Sequence, residues 1–191
     1  MDKETRSFKF ELETREDEDG NSKIRGHAAV FNEEADIWGF REKVAPGAFK
    51  DSIKVDDVRA LFNHDPNFVL GRNTAGTLTL KEDKQGLAIE IDPPDTQFAR
   101  DLQVSIRRGD ISQMSFGFNV LEEEWKDGGD DPDLRTLNKV RLFDVSPVTF
   151  PAYEGTDVAV RSHEEWQKQN KPKPWKSKIL RKRLNQMKEE K

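Results

Sequence analysis

Three side chains that together could hydrolyse a peptide bond occur in separate segments of this sequence. A histidine lies in the segment Asn63-His64-Asp65, a serine at Ser115 and an acid at Asp144. A serine hydroxyl is a weak nucleophile at neutral pH, so a neighbouring imidazole has to take its proton. The imidazole needs a third group that fixes its tautomer and orientation. These residues are the inventory of a serine protease, and geometry rather than chain order decides whether they form a triad.

Each of these residues also has an explanation without chemistry. Ser115 could be a small residue on a sheet surface, and His64 a surface group beside Asp65. Asp144 interrupts the apolar run 142–145, and a carboxylate is costly to bury unless it is paired. A buried partner such as His64 would account for Asp144. The residues alone leave both interpretations open.

Three predicted strands would position the three side chains. The strand at residues 58–62 ends just before His64, because Pro66 cannot donate a ladder hydrogen bond and disfavours helix at the residue before it. The other two are a long strand with Ser115 and its antiparallel partner with Asp144. They are predicted at residues 111–124 and 136–148.

The rest of the chain combines further strands with one strong helix. Alternating or apolar runs predict strands at residues 7–13, 24–31, 77–80 and 87–91. The helix is predicted at residues 96–108, with Asp95 or Thr96 as its N-cap and Gly109 as its stop. Many strands and few helices predict a β-rich α+β domain, with a closed or partly closed barrel and a few packed helices.

Composition narrows the class of protein. The chain has 191 residues, no cysteine and twelve phenylalanines, enough to anchor one core without disulfides or thiolate metal sites. No apolar run approaches the ~20 residues of a membrane span, and the N-terminus has no apolar stretch like a signal peptide. We therefore expect a soluble, cytosolic protein without a membrane partner.

Charge is distributed unevenly along the chain. Residues 162–191 contain ten Lys or Arg and four Glu, a net charge of +6, so residues 1–161 carry −11 of the total of −5. An acidic body joined to a basic end suggests that the end has its own partner. We expect a folded domain at residues 1–161 and a basic, helical or flexible C-terminal tail at residues 162–191.

Six short segments resemble, in the same order, those of a known protein family. From about residue 26 to residue 153 the chain is similar to the HK97-type prohead proteases of tailed bacteriophages. These are capsid-maturation serine proteases, related in fold to the herpesvirus assembly proteases. The matching segments are Gly26–Asn32, Val44–Phe49, Leu61–Asp65, Leu70–Arg72, Met114–Phe118 and Val145–Tyr153.

The resemblance implies a serine endopeptidase and assigns roles to its residues. Ser115 would be the nucleophile, His64 the general base and Asp144 the third member of the triad. Herpesvirus relatives use a second histidine in that third place, whereas the phage enzymes use an acid. Asp65 is poorly placed to reach the imidazole of its own neighbour. His27 stands where the family often has tyrosine, so we interpret it as structural.

The resemblance also implies where the protein works and on what. The enzyme would act inside the immature capsid, in the bacterial host cytoplasm. It would digest the scaffold or the scaffolding segment of the major capsid protein, and then itself. It needs no cofactor or metal, a homodimer or higher oligomer stays open, and His163 would be a tail residue. Backbone N–H groups or Arg141 could stabilise the oxyanion, and the basic tail could target an acidic scaffold.

Three other functions are weaker alternatives. A catalytically inactive capsid-assembly or scaffolding protein on the same fold would not depend on the serine. A nucleic-acid-binding protein could use the basic tail with Trp166 and Trp175, but the body at −11 would repel phosphate. A metal hydrolase is disfavoured, because His27, His64 and His163 show no ligand spacing.

Overall fold

The protein consists of two compact units, Met1–Thr156 and Asp157–Lys191. The computed structural model describes residues 3–9, 12–16, 22–37, 39–150 and 157–170. Helix α3, Asp157–Asn170, belongs to the second unit, so the predicted domain boundary at residue 161 falls within a helix. The predicted tail beyond residue 170 lies outside the described residues. Within these ranges, no helix is long and apolar enough to cross a membrane.

Two sheets form the first unit. The larger has seven strands, and its main path runs in the order β1 (Glu4–Lys9), β10 (Gln113–Lys126), β11 (Asp133–Val148), β5 (Phe40–Val44) and β4 (Ala35–Ile37). Two further strands of this sheet, β6 (Arg59–Phe62) and β7 (Asp65–Arg72), join it where β6 pairs with β11. The smaller sheet has the order β2 (Glu13–Glu16), β3 (Ser22–Val30), β9 (Gly86–Ile91) and β8 (Leu78–Glu82).

The long predicted strand pair is confirmed and is the centre of the larger sheet. Strands β10 and β11 are antiparallel, with Ser115 opposite Ser146 and Gly117 opposite Asp144. Residues directly opposite each other in such a pair share one face of the sheet. These two pairs are two positions apart along the strands, and side chains alternate between faces with a period of two, so the hairpin places Ser115 and Asp144 on the same face.

Two short helices accompany the sheets, and the longer one is as predicted. Helix α1 spans Ser52–Val55 and helix α2 spans Gln97–Arg108. The Thr96 hydroxyl accepts a hydrogen bond from the backbone N–H of Ala99 at 3.3 Å, which satisfies one free amide of the first turn. Gly109 ends the helix at φ 79°, in the left-handed region that glycine adopts without steric cost.

The α+β class is confirmed, but the predicted barrel is wrong. Within the described ranges the strands form two separate sheets, and neither closes on itself. A barrel requires main-chain pairing all the way round. Here the edge strand β1 and strand β5 are linked by side chains instead, because Arg6 Nε donates to Glu42 Oε1 at 2.6 Å. The described residues form eleven strands and three α-helices, α1 to α3, so the fold is strand-rich.

The single strand predicted at residues 7–13 is also wrong. Its N-terminal part belongs to β1 in the larger sheet, and Glu13 begins β2 in the smaller one. A period of two identifies extended chain but not the point at which the chain changes sheets. Three strands were not predicted, β4, β5 and β7. The last of these contains Pro66. Proline has no backbone N–H, and an edge strand tolerates this because a position that faces away from the sheet needs no ladder donor.

Candidate active site

A tight turn between β6 and β7 positions His64. Phe62 and Asp65 pair across it, and Asn63 and His64 are its two central residues. Their φ angles are 52° and 58°, and two-residue hairpin turns of the commonest type need a positive φ at both positions. A positive φ is uncommon for residues other than glycine, but Asn and His are among the side chains enriched there. The turn projects His64 from the end of the hairpin.

Asn63 fixes this turn to the end of β11. Its backbone N–H donates to the carbonyl of Pro147 at 3.0 Å. Its side-chain amide donates to Thr149 Oγ1 at 3.2 Å and accepts from the backbone N–H of Thr149 at 2.8 Å. Three bonds from one residue tie the His64 turn to the strand that contains Asp144, so the two side chains keep a defined separation.

The structure brings the three predicted site residues into one hydrogen-bonded chain. His64 Nδ1 lies 2.5 Å from Asp144 Oδ1, and His64 Nε2 lies 2.7 Å from Ser115 Oγ. Ser115 is fully buried, the Asp144 side chain is 2% exposed and the His64 side chain 18%. An ionised carboxylate can only accept, so Nδ1 carries a proton and Nε2 of the neutral ring is free to accept one from Ser115.

Asp144 is ionised despite its burial. Burial by itself raises the pKa of the Asp144 carboxyl, but hydrogen bonds from His64 and Lys3 and the positive charge of Lys3 outweigh it, so the pKa is lowered. Lys3 Nζ lies 2.7 Å from Asp144 Oδ2, and the Ser146 hydroxyl donates to Oδ1 at 3.2 Å. The carboxylate is thus held in place from three sides.

This lowered pKa predicts an acid-sensitive contribution to stability. A carboxyl with a folded pKa below its unfolded value stabilises the fold fully above about pH 5, and loses that contribution as the pH falls past about 3.9 towards the folded value. We expect the difference in unfolding free energy between wild type and Asp144→Asn to shrink as the pH falls from 5 to 2. Urea denaturation across that range measures it. A difference that does not change with pH would contradict the assignment.

Gly117 makes room for the carboxylate. A Cβ atom at this position would overlap Asp144 Oδ2 and the Cε atom of Lys3. We expect Gly117→Ala to displace the Asp144 carboxylate from His64 and to lower kcat/KM by about 10²-fold, the cost of a shift of about 1 Å in a reacting group. Steady-state kinetics on a peptide substrate measures the loss.

Gly109→Ala is the control for Gly117→Ala. Gly109, unlike Gly117, has a positive φ of 79°, which disfavours alanine, but a Cβ there meets nothing within 4 Å. Its replacement should cost stability and leave kcat/KM unchanged. If the two variants lose activity equally, steric displacement of Asp144 is not the cause of the loss at Gly117.

The other candidate residues contact different partners. Asp65 accepts hydrogen bonds from the backbone and the side chain of Asn67, both at 2.8 Å, and caps the start of β7. His27 Nε2 lies 2.9 Å from Asp83 Oδ2 in the smaller sheet. His163 stacks on Trp166 in helix α3.

Arg141 is not directed at Ser115. Its guanidinium pairs with Asp56 at 3.4 Å and lies over the ring of Phe143. Throughout the described ranges, no group of three His, Asp or Glu side chains is arranged to hold a metal ion.

Sequence reasoning missed the residues that surround the triad. Lys3 directly precedes β1, and Arg6 lies within it. Strand β1 pairs with β10 so that Ser7 is opposite Ser115. The Ser115 hydroxyl donates to the Arg6 carbonyl at 2.9 Å. Nothing local in the sequence connects residues 3–9 to position 115. The small residue Gly117, two positions after a candidate nucleophile, was the one available signal.

Serine hydrolases have a hydroxyl, an imidazole and a carboxylate that are joined in this order by hydrogen bonds, as Ser115, His64 and Asp144 are here. Comparison with known proteins agrees, because the family model described as caudovirus prohead serine protease matches residues 10–170. The chain belongs to this family.

Among curated proteins, the chain is similar to the prohead protease of Enterobacteria phage HK97. The two are 31% identical over 147 residues, which cover 74% of this chain and 61% of that protein. The chain thus spans less than two thirds of the length of this relative. No solved structure matches the chain.

Proposed function

We propose that this protein is a serine endopeptidase that matures the capsid of a tailed phage. In this proposal Ser115 is the nucleophile, His64 the general base and Asp144 the acid that orients His64. The observation that carries it is the hydrogen-bonded chain from Asp144 through His64 to Ser115, with distances of 2.5 and 2.7 Å. Membership of the prohead serine protease family supports the same activity.

The first half of the reaction forms an acyl-enzyme. Ser115 Oγ attacks the carbonyl carbon of the scissile bond while its proton moves to His64 Nε2. The imidazolium that forms is stabilised by Asp144, which already accepts from Nδ1. The tetrahedral intermediate then collapses, the carbon–nitrogen bond breaks, and His64 gives the proton to the leaving amine.

The second half regenerates the enzyme. Water enters in place of the amine, and His64 takes its proton as the water oxygen attacks the ester carbon. The carbon–oxygen bond to Ser115 breaks, and the proton returns to Ser115 Oγ. Because the same imidazole acts twice, the turn that holds His64 must keep its position throughout the cycle.

The proposed substrates are proteins of the immature capsid. The HK97 relative is named a prohead protease, and we propose the same place of action here, inside the prohead in the host cell. The enzyme would cleave the scaffold or the scaffolding segment of the major capsid protein, and afterwards itself. We also propose that the basic segment at residues 162–191 carries the enzyme to an acidic scaffold, and that the fold is related to that of herpesvirus assembly proteases.

Co-expression with the cognate capsid proteins tests the substrate proposal. Wild type and Ser115→Ala are each produced with the major capsid protein and any scaffold, and intact masses are measured. Shortened capsid protein or scaffold, and a shortened enzyme, are expected with wild type only. Assembled proheads with uncleaved proteins in both would contradict the proposal and favour an inactive assembly protein.

A further inference from the structure

The N-terminal strand β1 covers the candidate nucleophile. Ser115 is 0% exposed, and β1 pairs with β10 so that Ser7 lies directly opposite Ser115. A scissile carbonyl has to come within about 3–3.5 Å of the nucleophile. An external peptide therefore cannot reach Ser115 while β1 keeps this position.

The position of β1 is one that an extended peptide could take. β1 is the end strand of the larger sheet, next to β10. Proteins bind extended peptides as an added strand at a sheet edge, where main-chain bonds give affinity and pockets for alternate side chains give specificity. The family match begins at residue 10, after β1. β1 thus precedes the matched region and occupies the edge beside the triad.

Contacts from residues 3–9 also hold the triad in a resting arrangement. The Ser115 hydroxyl has one proton, for which the Arg6 carbonyl at 2.9 Å and His64 Nε2 at 2.7 Å compete. Lys3 places a positive charge 2.7 Å from Asp144, the carboxylate that should stabilise the imidazolium. The hydrogen bond directs the oxygen of the Arg6 carbonyl at the nucleophile, rather than its carbon. β1 therefore resembles a bound peptide that is not presented for attack.

The side chain of Arg6 extends away from the triad. Thr5 and Ser7 lie opposite residues on the triad face of β10, so Arg6 between them faces the opposite, buried side. There its guanidinium donates to both carboxylate oxygens of Glu42, at 2.6 and 3.1 Å. It also lies 5.7 Å from the centre of the Phe118 ring. The residue whose carbonyl meets Ser115 thus places a cation in an acidic, aromatic pocket.

The charges of this pocket determine what can replace Arg6. The ion cluster around it consists of Glu4, Arg6, Glu42, Glu123 and Arg135. The cluster has one more carboxylate than guanidinium both with β1 and after its withdrawal, but withdrawal takes from the buried Glu42 the two hydrogen bonds that Arg6 donates, at 2.6 and 3.1 Å. An uncompensated buried charge is strongly unfavourable. A peptide that takes the place of β1 is therefore stabilised if it brings a cationic side chain to the same position.

We propose that the β10 edge beside Ser115 is the substrate-binding site and that β1 occupies it as an internal peptide. The site takes an extended peptide with arginine or lysine at the residue whose carbonyl meets Ser115, and Glu42 determines this specificity. Release of β1 frees Ser115 from Arg6 and Asp144 from Lys3. The inference rests on the proposed proteolytic function and adds its substrate class.

An engineered disulfide tests whether β1 has to leave. The chain has no cysteine, and Lys9 lies directly opposite Gln113, where opposed Cβ atoms come near the span of a disulfide. The substrate is a set of internally quenched peptide mixtures that differ only in a central Arg, Lys, Gln or Glu. We expect the oxidised full-length Lys9→Cys/Gln113→Cys protein to cleave them at least about tenfold more slowly, because its competent state is not populated. Dithiothreitol should restore the rate.

The two single-cysteine variants are the controls, and the oxidant should not change the rate at which either cleaves the peptides. Equal rates for the oxidised and reduced double variant would overturn the inference and leave the proposed function intact. Failure of wild type to cleave any mixture or any capsid protein would instead overturn the proposed function, and the inference with it.

The same mixtures test the proposed specificity. Wild type should cleave the Arg and Lys mixtures with a kcat/KM at least about tenfold above that for Gln, because a site built to bond a polar group rejects an analogue that lacks it. Glu42→Gln should abolish this ratio. Glu123→Gln also removes a partner of Arg135 but not one of Arg6, and should keep it. This ratio compares two substrates on the same protein sample, so it does not depend on the fraction of a variant that is folded. Its absence in wild type, or its survival in Glu42→Gln, would contradict the inference.

Discussion

Replacement of Ser115 by alanine is expected to lower kcat by about 10⁴- to 10⁶-fold, the range seen when the nucleophile of a serine protease is removed. The hydroxyl that we propose as the nucleophile is lost, while the strand and its neighbours stay unchanged. Ser115 is buried in β10 and alanine is smaller, so the fold should be retained. Digestion of capsid protein under single-turnover conditions measures the loss, with circular dichroism to confirm folding.

Ser146→Ala is the matched control for this variant. Ser146 lies directly opposite Ser115 and is equally buried, so the chemical change and its surroundings are nearly the same. Its hydroxyl supports Asp144 through one bond of 3.2 Å, and its loss should lower kcat by no more than about tenfold, the value of one hydrogen bond. If Ser146→Ala were as inactive as Ser115→Ala, Ser115 would have no special role.

Asp144→Asn is expected to lower kcat by about 10⁴-fold with little change in geometry. The asparagine amide can donate to His64 Nδ1, which would then keep no proton. The proton would reside on Nε2, and Nε2 could no longer accept from Ser115. A profile of kcat against pH for wild type and variant measures the effect.

Asp65→Asn distinguishes Asp144 from the other acid beside His64. Asp65 bonds to Asn67, and an amide oxygen can accept the same hydrogen bonds. This variant should stay within about threefold of wild-type kcat, as is usual for surface substitutions that change stability little. An inactive Asp65→Asn together with an active Asp144→Asn would reverse the assignment.

Much of the scaffold could be predicted because its signals are local. Helix α2 has a cap at Thr96 and a stop at Gly109, within one turn of its ends. The long strands β10 and β11 are recognisable from their own residues and the acidic loop between them. Ser115 and Asp144 were candidates because their residue types fit a chemistry, and the structure places both within hydrogen-bond distance of His64.

The remaining features depend on contacts between distant residues. Lys3 and Asp144 are far apart in sequence, as are Arg6 and Glu42, and no local period encodes either pair. The division of residues 7–13 between two sheets and the failure of the barrel to close have the same origin. The left-handed turn at Asn63 and His64 was missed for a different reason. The usual sequence signal for a two-residue hairpin turn is Asn-Gly, and here histidine takes the place of the glycine.

The most direct test of the central claim is to map the adduct of a fluorophosphonate, which reacts with an activated serine. After treatment of the full-length protein, digestion and mass spectrometry identify the modified residue. We predict one adduct, at Ser115, with no labelling of Ser115→Ala and labelling at least about 10²-fold slower in His64→Ala, since general-base assistance contributes about that much. An adduct on another serine, with Ser115 unmodified in protein that digests capsid protein, would contradict the account.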